Sequence, residues 1–366
     1  MAGTASGHHP PPSKRNGRYT PGHDGEVTAL AASSFFNRRV ILIAIATHPA
    51  DDEPPPHHPC QSHLDVPSSA AMWFAPPKEI PTRILTRVPD RFRRLQRTEW
   101  ADANRSGEPV DCFLEGPCYD ARGRLHVVDI PYGRIFRIDG DEWTLVAEYP
   151  GWPNGLKIQP DGMLIAADYR NGLVRIDPAN GATGVVLQTV MSESFKGLND
   201  LTLHRDGSIL FTDQGQTGLQ DPTGRVWRLH PDGRIDRLIA TGPSPNGLVL
   251  NTAQTHLYVA MTRSCEVWRF LLRPDAVVAK AQCFARVPAG LVGPDGLAMD
   301  SADRLYISNP GHGCVWIIDP HGVPLYRVQS CAGRMTTNCA LTPDESHLVI
   351  TESETGTILI AEIPRP

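Results

Sequence analysis

No apolar run in this 366-residue chain approaches the roughly 20 residues that cross a bilayer as a helix, so a soluble, cytoplasmic protein that binds no membrane is expected. The eight cysteines contain no Cys-x-x-Cys pair, which removes the usual framework for structural zinc or dithiol chemistry and leaves scattered packing thiols in a reducing compartment. Basic charge is not in excess either. With 35 Lys and Arg against 40 Asp and Glu, the net charge of -5 lacks the electrostatic footprint of a nucleic-acid binder. Long 3.6-residue periodicity is also missing, which argues against a helical fold.

What is present is a repeat. Glu115-Gly116-Pro117, Asn154-Gly155-Leu156, Asn199-Asp200-Leu201, Asn246-Gly247-Leu248, Asp295-Gly296-Leu297 and Asn338-Cys339-Ala340 follow one another at spacings of 39, 45, 47, 49 and 43 residues. Roughly 40 to 50 residues is the length of one four-stranded propeller blade. Each copy runs into a β-branched strand such as Leu125–Asp129, Met163–Asp168, Ser208–Asp213 or Arg304–Ser308, then a turn and a further strand. Short strands punctuated by Gly, Asn and Asp predict an all-β fold, and six copies predict a six-bladed β-propeller over residues 73–366. The sixth copy supplies three strands at most, so Ile80–Val88 is expected to close its blade from the N-terminal side.

Equivalent positions of a propeller converge on its axis, which would gather Glu115, Asn154, Asn199, Asn246, Asp295 and Asn338 around one point. Neither Lys nor Arg occupies the leading position of any repeat to balance the two carboxylates, and neither His nor Cys stands there to bind zinc. Oxygen-only donors select a hard divalent cation, calcium above magnesium. Asn-Gly and Asp-Gly are also plain turn formers, and it is the repetition in register that favours a ring.

Leu114-Glu115-Gly116-Pro117, Leu198-Asn199-Asp200, Ser244-Pro245-Asn246-Gly247-Leu248 and Gly293-Pro294-Asp295-Gly296-Leu297 together resemble the senescence marker protein, gluconolactonase and luciferin-regenerating enzyme family, over about Phe113 to Ile363. The resemblance implies a six-bladed propeller with one catalytic divalent ion, usually calcium with zinc or manganese as alternatives, held by Glu115, Asn199, Asn246 and Asp295. It implies a hydrolase of lactones, gluconolactonase-like, acting on a small-molecule lactone or ester. On that reading the ion is expected to polarise the carbonyl and Asp295 to serve as base or nucleophile. Asn154 and Asn338 complete the ring as supports behind the ligands or as substrate contacts, and His312 is a further candidate substrate contact that also reads as a turn histidine between glycines. Lys196, Asp200, Asp213, Tyr169 and Trp152 form a second rank with structural roles expected.

Two departures qualify the resemblance. Gly197 stands where animal members carry a substrate-contacting Arg, and Ala298 and Ser353 replace the ligands of a second calcium found in phosphotriesterase-type relatives. Alternatives to the lactonase are a non-enzymatic propeller that binds a small ligand or peptide, and a phosphotriester hydrolase using the same site. Oligomeric state is not readable from spacing. Residues 1–72, rich in Pro, His and Ser, are expected to be a disordered extension, with the signal-like stretch Arg38–Ala46 lying too far from the start to act as a leader.

Overall fold

The computed structural model describes residues 75–273 and 278–365. The extension 1–72, the stretch 38–46 and Cys60 lie outside those residues. Among the described residues the alternating apolar strands pair into six blade sheets, each built on four antiparallel strands that are chain neighbours in the first five blades, with Thr189–Val190 and Glu193–Ser194 as a separate two-stranded pair. The innermost strands, from Leu114–Tyr119 in the first blade to Thr336–Leu341 in the sixth, touch in sequence, and the sixth returns to the first. Together these sheets form a six-bladed β-propeller.

The core lies between blades. Val128, Ile135 and Ala147 of the first blade pack with Leu156, Leu164 and Val174 of the second, all buried. Similar clusters join the other blades, so each sheet buries apolar side chains on both faces. The seven described cysteines are free, and Cys112, Cys118, Cys314 and Cys339 are buried among these side chains.

Ring closure uses the N-terminal side differently from the single strand expected over Ile80–Val88. Lys78–Pro81 adds in parallel to Pro324–Gln329 as a fifth strand of blade five. Arg83–Arg87 then pairs antiparallel with Thr357–Glu362 as the outer strand of blade six. Pro81 has no N–H to continue a ladder, and at Thr82 both the backbone N and Oγ1 donate to Gln329 O, so the chain changes sheets there. Leu85 and Val88 pack against Phe136, Trp143, Val349 and Ile358, which ties the start of the ring to its end. A chain beginning at Pro89 loses this packing and exposes a strand edge. Burial of two aliphatic side chains is worth about 1.5–3 kcal/mol each, so its Tm is expected to fall by roughly 10 °C in a thermal melt. An unchanged Tm would refute this role.

Candidate active site

In five blades the pairing of the first two strands slips at the repeat motif: between Glu115 and Cys118, Pro153 and Gly155, Leu198 and Leu201, Pro245 and Leu248, and Thr336 and Asn338. Each slip is a bulge, which turns a side chain out of its regular alternation. The residue after the motif's leading position lies where the next blade's inner strand approaches most closely. A Cβ at Gly116 would collide with Asn154 O, and one at Gly296 with the Asn338 side chain. At Gly116 and Gly296 glycine is therefore required by contact, whereas Asp200 and Cys339 fill the same position in the third and sixth copies.

The bulges open onto one axial cavity of about 580 Å³, on whose walls Glu115, Asn154, Asn199, Asn246 and Asp295 all stand. Their order in the chain has become their order around the axis. Asn338 does not line this cavity. Its Nδ2 donates to Glu115 Oε2 at 2.8 Å, while its Oδ1 accepts from the Cys339 N–H at 2.8 Å. Of the two roles expected for Asn338, its position off the cavity wall and its bond to Glu115 match the supporting one. His312 likewise stands off the walls, on an exposed turn against Gly290.

Glu115 Oε2 also accepts from the Gly116 N–H at 2.9 Å. Asn199 Nδ2 donates to Gln214 Oε1 at 2.9 Å, and Gln214 Nε2 donates to Ser244 Oγ at 2.9 Å. That chain occupies the amide nitrogen of Asn199 and leaves its Oδ1 without a donor among the described residues. Burial raises the Glu115 carboxyl well above its usual range, with the Asp295 charge adding to it, even though the two donors to Oε2 pull it down. Burial raises Asp295 to about 7, Asp200 adds to it, and the Asn246 amide and the Arg263 guanidinium oppose it. Two buried carboxylates thus face one cavity and repel each other.

A divalent cation fits this donor set, supplying the charge that these carboxylates lack and accepting amide oxygens beside them. Among the described residues no group of three or more His, Cys, Asp or Glu could hold a metal ion, so a cation here depends on asparagine oxygens as well as Glu115 and Asp295.

Of the second-rank residues, Tyr169 lines the cavity. Asp200 is buried beneath it, accepting from the Leu201 N–H at 2.7 Å. Asp213 braces the Gly197 N–H at 2.9 Å and pairs with Arg225, a structural role it shares with Asp129, which accepts from the Phe113 N–H at 2.8 Å. Lys196 bonds Thr223 Oγ1 at 2.8 Å, and Trp152 packs on the Tyr169 ring beside the cavity.

Sequence reasoning missed most of the upper wall. Ile130, Gln214 and Thr262, like Tyr169 of the second rank, each follow the last residue of their blade's second strand, a repeated position that could have disclosed them. Trp100 and Arg105 come from the helix Glu99–Asn104 and its cap, ahead of the first repeat, where no repeat signal exists.

Known proteins share both the sequence pattern and the fold. A gluconolactonase from Zymomonas mobilis is 30% identical over 219 residues, covering 55% of this chain and 60% of that protein. The lactonase drp35 of Staphylococcus aureus is 28% identical over 244 residues, covering 63% of this chain and 72% of that protein. Among solved structures, a gluconolactonase from Xanthomonas campestris superimposes with a TM-score of 0.63 at 23% identity, over 77% of this chain and 98% of its own. A calcium-binding regucalcin from Agrobacterium tumefaciens does so with 0.63 at 21% identity, over 78% and 95%. Both share the six-bladed fold. Residues 113–354 match the family described as SMP-30/Gluconolactonase/LRE-like region, and this chain belongs to that family.

Proposed function

We propose that the axial cavity hydrolyses lactones with the help of one divalent metal ion. The observation that carries this reading is the meeting of buried Glu115 and Asp295 with Asn154, Asn199 and Asn246 on the walls of a single cavity. The lactonase names of the two curated relatives support the same reaction class.

Glu115, Asn199, Asn246 and Asp295 would hold the ion, with calcium favoured for its tolerance of a mixed carboxylate and amide set. When bound, the ion supplies Lewis-acid polarisation of the ester carbonyl. The chain itself does the rest. Asp295 receives the proton of the attacking water or attacks the carbonyl carbon directly, since its carboxylate borders the cavity where an ester would sit. Asn338 and the Gly116 N–H fix the Glu115 carboxylate, so it need not reorganise during turnover. Asn154 is left to bond a substrate oxygen.

Gln214 acts as a positioning residue, because its bond to Nδ2 turns the Asn199 oxygen toward the cavity. Gln214→Leu is expected to weaken calcium binding about 10- to 100-fold, the usual cost of losing such a supporting bond, and Gln214→Glu to retain most of it. Calorimetric calcium titration reads both. Equal affinity in all three proteins would remove Gln214 from the site.

The function itself is tested by assaying aldonolactones, aliphatic lactones and one phosphotriester after EDTA treatment and again after calcium is restored. Calcium-restored hydrolysis of lactones supports the proposal. Tight stoichiometric calcium binding with no turnover would favour a ligand-binding ring, and turnover of the phosphotriester alone would reassign the reaction.

A further inference from the structure

Four charged side chains stand on the cavity wall, the carboxylates of Glu115 and Asp295 and the guanidiniums of Arg105 and Arg263. The carboxylates are buried, whereas Arg105 is half-buried and Arg263 exposed. Most arginines bordering other parts of the ring are committed, as Arg124 is to Asp120, Arg225 to Asp213 and Arg228 to Asp206. Neither Arg105 nor Arg263 has a side-chain hydrogen bond or ion pair among the described residues.

Both are nevertheless carried on anchored backbone. Arg105 ends the helix Glu99–Asn104, which Thr98 caps through the Ala101 N–H at 3.1 Å and which the tilted ring contact of Trp100 and Phe113, 4.6 Å apart, fastens to the first blade. Arg263 lies in the 3-10 turn Thr262–Ser264, where Thr262 Oγ1 donates to Pro294 O at 2.8 Å. That bond ties the turn to the segment bearing Asp295. Position 197 offers no third cation, because a Cβ on Gly197, at φ +147°, would collide with the Tyr169 ring.

A divalent ion balances the two carboxylates, which leaves two guanidiniums unmatched in a recessed site. Arginine forms short, bidentate bonds to planar or tetrahedral oxyanions. We propose that this cavity selects lactones bearing a second, anionic group, a carboxylate or a phosphate, and that Arg105 and Arg263 bind that group. The proposal rests on the lactone-hydrolase reading above and names its substrate class.

The test compares gluconolactone, gluconolactone phosphate and glucarolactone with the calcium-loaded full chain. At least one anionic lactone is expected to exceed gluconolactone in kcat/KM by about tenfold, and the ratio to fall toward one in Arg105→Gln/Arg263→Gln. The phosphate and carboxylate arms identify which oxyanion is preferred. Hydrolysis of gluconolactone at least as efficient as that of both anionic lactones overturns this proposal and leaves the hydrolase reading intact. If no lactone is turned over, the hydrolase reading fails, and calorimetric titration with glucitol and glucitol phosphate decides the role of the arginines. Equal binding of those two would overturn it.

Discussion

Asp295→Asn is expected to lower kcat for lactone hydrolysis about a thousandfold at saturating calcium, within the range that a positioned base contributes. The amide matches the carboxylate in size, so the wall of the cavity and its packing survive while the proton acceptor is lost. Calcium affinity should fall too, because one of the two carboxylates that face the cavity among the described residues becomes neutral. Titrating calcium first and measuring turnover at saturation separates the two losses. In the metal-free protein the same substitution should raise Tm near neutral pH, since it removes a buried charge that Glu115 and Asp200 oppose. A purely structural residue would not destroy turnover while stabilising the fold. Turnover within about tenfold of the parent at saturating calcium would strip Asp295 of the role of base or nucleophile.

The residues that carry this prediction were legible because a propeller converts position within a repeat into position around an axis. Glu115, Asn154, Asn199, Asn246 and Asp295 could be grouped from sequence although 180 residues separate the first from the last. Asn338 occupies the same repeat position and yet serves Glu115, an outcome set by which neighbour its amide meets and not by spacing. His312 sits in a glycine-flanked turn whose direction depends on the loop around Gly290.

The closing strand was legible in part. Apolar alternation marked Ile80–Val88, but the switch of sheets at Thr82 depends on a donor missing from Pro81 and an acceptor at Gln329, residues far apart in the chain. Arg105 and Arg263 were invisible for a related reason. One precedes the repeats, and the other follows a second strand whose end is fixed only by pairing with its neighbours. The upper wall of the cavity is built from such ends and loops, while the proposed metal donors come from the repeated core of each blade.

Calcium should stabilise the metal-free protein, and more at pH 8 than at pH 5. Glu115 and Asp295 have folded-state pKa values raised above those of an unfolded chain, about 4, because burial disfavours their charge. Such groups lend stability that is complete below pH 4 and is lost as pH rises through the folded value, about 7 for Asp295. The metal-free protein therefore carries the buried Asp295 charge at pH 8, where it opposes ionisation of Glu115, and has shed that charge at pH 5. Calcium needs the charged form, so it relieves the repulsion at pH 8, whereas at pH 5 it must first displace protons. A ligand at 100 to 1,000 times its Kd adds about 3–4 kcal/mol, or roughly 6–16 °C in Tm for a domain of this size, and that increment is expected at pH 8. Groups remote from the cavity also titrate: burial raises Asp129 to about 6, and partners hold Asp206 far below the usual carboxylate range. They act equally with and without calcium and cancel in the difference between paired melts. A calcium shift that is the same at both pH values, or larger at pH 5, would show that Glu115 and Asp295 are not the groups that meet the ion.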